Sequence, residues 1–393
     1  MIPITRPALP PLAEYVAILE RIWDTRMLSN FGEFATSLEV LAADYLGAEC
    51  VLTVSSGDVA LILSLRALML PPKTRVLVPS FTFNSTVNAI LWNDLTPVFV
   101  DIDPETLNMD PADAAGRIEG AGAILATHVF GNPAPVDELA ALASSVGARL
   151  LFDAAHGYGS LRRGKHVGTF GDAEVFSMSG TKPVTSAEGG LFATSDPELA
   201  ERFRYLRAYG FQTDYHSRYV GLNGKLSELH AGLGLLTLAR IEDALAARRV
   251  HVDHYLGRLA SVPGVSFQRV SVEDRSTFKD FAVVFASGEQ RDLVEAALTA
   301  VDVQTKRYFR PCHEMDAYRA YADGALPVTE STYRRILCLP LFEDLTPDQV
   351  DVVCDIVAAA SGVGWPHPVG AGPRRTGGRP GRRDRLATPA SGR

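Results

Sequence analysis

Five short apolar runs rich in branched residues, CVLTVS (50–55), RVLVPS (75–80), PVFVDI (97–102), AILAT (123–127) and RLLFD (149–153), alternate with stretches long enough to hold a helix. That alternation restricts the chain to an α/β architecture. Right-handed helical crossovers return each strand to the same sheet, which gives a mainly parallel sheet with helices on both faces. Two further short strands are predicted at EVFSM and GGLFATS. From Leu226 to His254 apolar residues recur at helical spacing (Leu229, Leu233, Leu236, Ile241, Leu245), which predicts one long helix leading into a smaller α/β layer. The expected organisation is a large domain over residues 1–254, a small C-terminal domain over 255–362 and a tail over 363–393.

At 393 residues and 47% hydrophobic content the chain can bury a large core. No apolar run reaches the roughly 18 to 20 residues that span a bilayer, and MIPITRPALPPLAEY lacks the basic-then-apolar order of a signal peptide, so a cytoplasmic protein with no membrane partner is expected. Cys50, Cys312, Cys338 and Cys354 lack metal-ligand or CxxC spacing, which argues for reduced thiols and no metal. The formal charge of −8 is uneven: residues 366–393 carry seven arginines and one aspartate. Poor in large apolar residues, this segment is expected to be a disordered basic tail. It lacks stacking aromatics, which disfavours a nucleic-acid partner.

The chemistry-bearing residues cluster at predicted strand ends, where ligands of open α/β sheets bind. Lys182 lies in a Gly/Ser/Thr-rich turn between two predicted strands, just before Glu188-Gly189-Gly190. A lysine amine can condense with an aldehyde cofactor, and Asp153, ending RLLFD, can hold a pyridine nitrogen protonated. Ala154 and Ala155 leave room for a flat ring, His156 can bond a phenolic oxygen, and Phe83 can stack on the opposite face. Ser56-Gly57-Asp58 opens a predicted helix whose free N–H groups would cradle a phosphate, with Ser177 adding a hydroxyl. Together these residues describe a pyridoxal 5′-phosphate (PLP) site. Singly, most have ordinary structural readings: an N-cap for Ser56 to Asp58, a core aromatic for Phe83, a backbone-bonded histidine for His156.

In this order and spacing, VSSGDVAL, VLVPSFTFNSTVNAI, PVFVDIDPETLNMD, FDAAHGYGS, FSMSGTKPVTSAEGGLFAT and GLNGKLSELHAGLGL resemble the DegT/DnrJ/EryC1/StrS family of nucleotide-sugar aminotransferases. The resemblance runs from about Gly32 to Gly362 and implies the fold type I of PLP-dependent transferases. It also implies a homodimer with shared active sites and glutamate or glutamine as amino donor. By position, Lys182 would carry the cofactor, Asp153 would pair with its ring nitrogen and His156 would lie near its phenolic oxygen. Phe83 would stack on the ring, Gly57, Asp58 and Ser177 would contact the phosphate, and Asn223 to Lys225 would reach into the partner's site. The family usually has Thr or Ser where this chain has Asp58, so only the Asp58 backbone N–H is suited to that contact.

A nucleotide-sugar diphosphate needs cations, and Lys306, Arg307 and Arg310 in QTKRYFRPCHEM are the candidates, with Arg218 and Lys225 behind them and Tyr308 and His313 as further pocket residues. RYFRPCHEM resembles the RYFxP stretch of the 4-aminotransferase branch. This points to amination of a nucleotide-linked 4-keto-6-deoxyhexose, with 3-amination or a non-catalytic PLP-binding regulator as alternatives. A dehydratase of the same family is disfavoured because those enzymes replace the lysine by histidine. A Rossmann dehydrogenase is disfavoured because no GxGxxG follows the first strands.

Overall fold

The computed structural model describes residues 1–212 and 214–362. The strands in chain order are β1 (Cys50–Val54), β2 (Arg75–Pro79), β3 (Thr96–Val100), β4 (Ala121–Thr127), β5 (Arg149–Asp153), β6 (Leu161–Arg162), β7 (Lys165–His166), β8 (Ala173–Ser177), β9 (Gly190–Thr194), β10 (Val265–Phe267), β11 (Phe281–Phe285) and β12 (Ile336–Leu339). Seven form one sheet in the order β1-β9-β8-β5-β4-β2-β3. Only β9 opposes the rest, pairing antiparallel with both β1 and β8. All five leading apolar runs are strands of this sheet, as are the two predicted at EVFSM and GGLFATS.

Both faces of the sheet are covered, which is why its strands read as continuous apolar runs and not as alternating ones. Val76, Val78 and Leu151 pack on one face with Leu61, Val87 and Ile90. Leu77, Leu150 and Phe152 pack on the other with Ile124 and Leu139. A second, three-stranded antiparallel sheet, β10-β11-β12, is packed by the helices Ile241–Leu259, Gly288–Ala300 and Pro347–Ala360.

The single helix expected over 226–254 is two, Glu228–Leu238 and Ile241–Leu259, broken at Ala239-Arg240. Beside the break lies a tertiary contact that apolar periodicity does not register. The Thr237 hydroxyl donates to the Thr185 carbonyl at 2.7 Å and accepts from the Thr185 amide at 3.2 Å, tying the end of the first helix to the loop that carries Lys182. The second helix then serves two cores: Ile241 and Leu245 pack near β1 and β8, whereas Val252, Tyr255 and Leu259 pack under the small sheet. The expected boundary between residues 254 and 255 thus falls inside a helix. At the other end of the chain, Ile2 bridges to Val303, so the N-terminal segment joins the second layer. The expected basic tail lies outside the described residues. Among those described, no helix is long and apolar enough to cross a membrane.

Candidate active site

The carboxyl ends of β1, β2, β4, β5 and β8 converge on a cavity of about 330 Å³ that the second layer closes with Lys279, Tyr308 and Phe309. Ser56, Gly57, Asp58, Phe83, Asp153, Ala155, His156, Ser177 and Lys182 all line it.

The helix Gly57–Ala67 starts at the cavity wall. The Ser56 hydroxyl is its N-cap, accepting from the Val59 amide at 3.2 Å, so it serves the helix and leaves the Gly57 and Asp58 amides at the open end. A Cβ on Gly57 would stand 3.0 Å from the Ser177 Cβ, too close for comfort, so the glycine is what lets the helix start approach the end of β8. Ser177 and the positive end of the helix dipole thereby face one point, an arrangement suited to an anion. Asp58 puts an exposed carboxylate beside it.

Asp153 ends β5 and is buried. Its Oδ2 accepts from the Thr86 hydroxyl at 2.7 Å and its Oδ1 from the Ala155 amide at 3.0 Å. Burial raises its pKa above the ordinary carboxylate value, while these two hydrogen bonds and the Lys182 ammonium oppose the rise. Phe83, at the N-cap of the helix Asn84–Trp92, is 53% exposed yet lines the cavity; a large aromatic left uncovered there is placed for a ligand, not for the core. His156 is buried between the Phe130 and Phe309 rings, with centroids 6.2 and 6.0 Å away. Burial, then the charges of Lys182, Lys279 and Lys306, hold it well below the usual histidine pKa, so the ring is neutral. Its Nδ1 is buried without a hydrogen-bond partner among the described residues. His166 Nδ1 is also buried without a partner, but only His156 lines this cavity, so its ring nitrogen is the one open to a ligand atom there.

Lys182 lies in the β8–β9 loop, pinned by Thr185 and Thr237. Its pKa is lowered to about 7, by burial first and then by the Lys279 ammonium, with Asp280 and Asp153 opposing. Lys279 was not singled out from the sequence. Its ammonium is buried and bonded to both oxygens of Asp280, at 3.0 and 3.1 Å. The only signal was a Lys-Asp pair directly before the apolar strand β11, which reads like any strand entry.

Other predicted residues lie farther out. Lys306 is 3.3 Å from the Tyr308 hydroxyl, and Tyr308 lines the cavity. Arg310 is exposed one residue beyond the lining Phe309 and forms no ion pair with a described residue. Arg307 turns away from the expected role: its guanidinium is bonded to Glu295 at 2.7 Å and to Asp292 at 2.9 Å on the helix Gly288–Ala300. His313 is likewise committed elsewhere, buried with Nδ1 2.6 Å from the Ser80 hydroxyl and its ring against Phe99. The spacing of QTKRYFRPCHEM does not reveal this, because an extended segment sends neighbouring side chains to different surroundings. Asn223 and Lys225 do not line this cavity; Lys225 sits over the Tyr209 ring at 4.2 Å, and Arg218 over Tyr219.

Residues 13–358 match the DegT/DnrJ/EryC1/StrS aminotransferase family. The chain belongs to that family. Among curated relatives it is 31% identical over 357 residues to the dTDP-4-amino-4,6-dideoxy-D-glucose transaminase of Escherichia coli, covering 89% of this chain and 96% of that protein. It is 33% identical over 338 residues to the GDP-perosamine synthase of Caulobacter vibrioides, covering 84% and 91%. The crystal structure of DesI in the presence of its TDP-sugar product superposes with a TM-score of 0.87 at 34% identity, over 92% of this chain and 93% of that one. This aminotransferase therefore has the α/β fold of the PLP-dependent sugar enzymes, with an antiparallel strand in a mainly parallel sheet.

The cavity of this aminotransferase fits PLP on its own chemistry. It offers the Lys182 amine for an aldehyde, Lys279 being ion-paired with Asp280, the buried Asp153 carboxylate for a pyridine nitrogen, the His156 ring nitrogen for a phenol oxygen and a glycine-gated helix start for a phosphate.

Proposed function

We propose that this aminotransferase holds PLP on Lys182 and moves an amino group from glutamate or glutamine to C4 of a nucleotide-linked 4-keto-6-deoxyhexose, dTDP-4-keto-6-deoxyglucose being the best-supported substrate. The observation that carries the cofactor half of this reading is the neutral, unpartnered Nδ1 of His156 in the same cavity as Lys182 and Asp153. The sugar half rests on the Escherichia coli relative, whose name places an amine at C4 of a dTDP-sugar, and on the DesI structure with a TDP-sugar product. Tyr308, which lines the cavity, Lys306, 3.3 Å from its hydroxyl, and Arg310, exposed and without an ion pair among the described residues, are assigned to the sugar nucleotide. Arg307 and His313 are left out of this assignment.

When bound, the protonated pyridine ring supplies a sink for electrons released as a carbon loses its proton. The chain's residues do the rest. Asp153, held by Thr86 and Ala155, keeps the ring-nitrogen proton in place. His156 stays neutral, and its Nδ1 would meet the phenol oxygen. The Gly57 and Asp58 amides and the Ser177 hydroxyl would bind the phosphate, and Phe83 would cover a face of the ring. Lys182 is near half-neutral at pH 7, so its Nζ can take a proton from one carbon and return it to another without a large energetic mismatch. The donor leaves as its 2-oxo acid, and the sugar ketone becomes an amine.

A homodimer is part of the same proposal. Leu12 (74% exposed) and Trp23 (66%) project from the first helix, Leu12–Thr25, an apolar face for which a second copy is the proposed cover. Asn223 and Lys225, outside this chain's own cavity, would then enter the partner's. A cytoplasmic location is proposed on the same footing. The test is incubation with a panel of keto-sugar nucleotides and either donor, followed by mass and NMR analysis of the product. Amine at C4 supports the reading; amine at C3 or no product in the whole panel refutes it. Lys182→Ala should bind sugar nucleotide yet give no turnover.

A further inference from the structure

Asp153 is held by more than its immediate neighbours. The Thr86 hydroxyl touches its Oδ2 at 2.7 Å, the Thr82 hydroxyl lies 2.8 Å from that of Thr86, and the Thr127 hydroxyl lies 3.0 Å from that of Thr82. All four side chains are buried. Asp153 and Thr127 end the adjacent strands β5 and β4, where they are register partners, and Thr82 and Thr86 lie in the loop and the helix Asn84–Trp92 that follow the neighbouring β2. The order of protons along this line follows from the charge state of Asp153. An ionised carboxylate can only accept, so the single Thr86 proton is given to Asp153. Thr86 must then accept from Thr82, and Thr82 from Thr127.

We propose that Thr127, Thr82 and Thr86 form a one-way hydroxyl relay that holds the Asp153 carboxylate anionic and oriented toward the cavity. The three are positioning residues, and their use in holding a ring nitrogen rests on the PLP reading. The physical need is plain: Asp153 is buried where desolvation favours the neutral acid, and a neutral acid could not hold the ring-nitrogen proton in place. The charged groups facing it are Lys182, which favours the anion, and Asp58, which opposes it. Aligned hydroxyl dipoles strengthen one another, so removing a distant member weakens the last bond. Among the described residues, the Ala155 amide contributes the only other hydrogen bond to the Asp153 carboxylate.

The test titrates Asp153 in the cofactor-free protein by carbon-13 NMR of carboxyl-labelled aspartate, with Asp153→Asn identifying the resonance. Thr86→Val should raise the Asp153 midpoint by about one to two pH units, the scale of a hydrogen bond to a charged group. Thr86→Ser, which keeps the hydroxyl, should restore it. Thr82→Val leaves the Thr86 bond in place and should raise the midpoint by roughly a few tenths of a pH unit through lost polarisation. It also decides the question if Thr86→Val does not fold. An unmoved midpoint in Thr82→Val reduces the relay to a lone contact and overturns the proposal, as does an unmoved midpoint in Thr86→Val. PLP binding, followed by its absorbance, is scored separately. Shifted midpoints without PLP binding would uphold the relay and remove the cofactor reading, while PLP binding with unmoved midpoints would do the reverse.

Discussion

Titrating the cofactor-free protein should expose Lys182 as the most unusual amine in the chain. An ordinary lysine, with a pKa near 10.4, is roughly 0.04% neutral at pH 7. Lys182, lowered to about 7, is half neutral there, an excess of roughly a thousandfold in the nucleophilic form. Competitive labelling with a trace amine reagent, read peptide by peptide, measures this directly. The Lys182 rate should climb tenfold per pH unit below about 7 and flatten above it, while a free lysine peptide added as an internal standard keeps rising to the top of the range. The cause can be separated as well. Lys279→Met removes the largest charge holding the value down and should move the midpoint up, whereas Asp280→Asn removes an opposing charge and should move it down. The sign for stability follows. Because the folded pKa lies below the unfolded one, the unfolded chain binds more protons between about 7 and 10.4, so this group makes the fold more stable as pH rises through that window. Lys182→Met should therefore outlast the wild type below pH 7, by at most about 5 kcal/mol, with the gap closing toward pH 10. A Lys182 rate that rises in parallel with the free lysine standard, or a midpoint that both charge removals shift the same way, would refute the electrostatic account.

Three further outcomes are expected. Gly57→Ala forces a methyl against Ser177, so it should cost about 1–3 kcal/mol and weaken PLP binding by about tenfold or more, measured by equilibrium titration; unchanged affinity would remove the helix start from the phosphate role. Arg310→Glu should raise KM for the sugar nucleotide by about tenfold or more and leave KM for the amino donor nearly constant, and equal effects would take Arg310 off the diphosphate. Mixing Lys182→Ala with a Lys225 variant should recover part of the activity through hybrid dimers, and subunit exchange without recovery would rule out shared sites.

The strand runs by themselves determined most of the large sheet. A strand buried on both faces must be apolar throughout, so RLLFD and its neighbours announce a covered sheet whatever surrounds them. The side chains at those strand ends were legible for the same reason: Asp153 and Lys182 are polar groups next to apolar runs, and the resemblance placed them in one site. What local pattern could not register was contact between distant segments. Thr237, just before the break in the expected long helix, bonds Thr185, residues far apart in the chain that periodicity treats as independent. Arg307 and His313 stand in the same short segment as Tyr308, yet Glu295 and Ser80 claim them while Tyr308 reaches the cavity. Lys279 and the threonines at 82, 86 and 127 are common residues in unremarked positions, and only the convergence of three strand ends and a second layer turns them toward Asp153 and Lys182. Residue identity fixes which groups can carry charge or donate a proton. Tertiary structure decides which of them are desolvated and which face one another, and those two conditions set the pKa of Lys182 and the proton order along the relay.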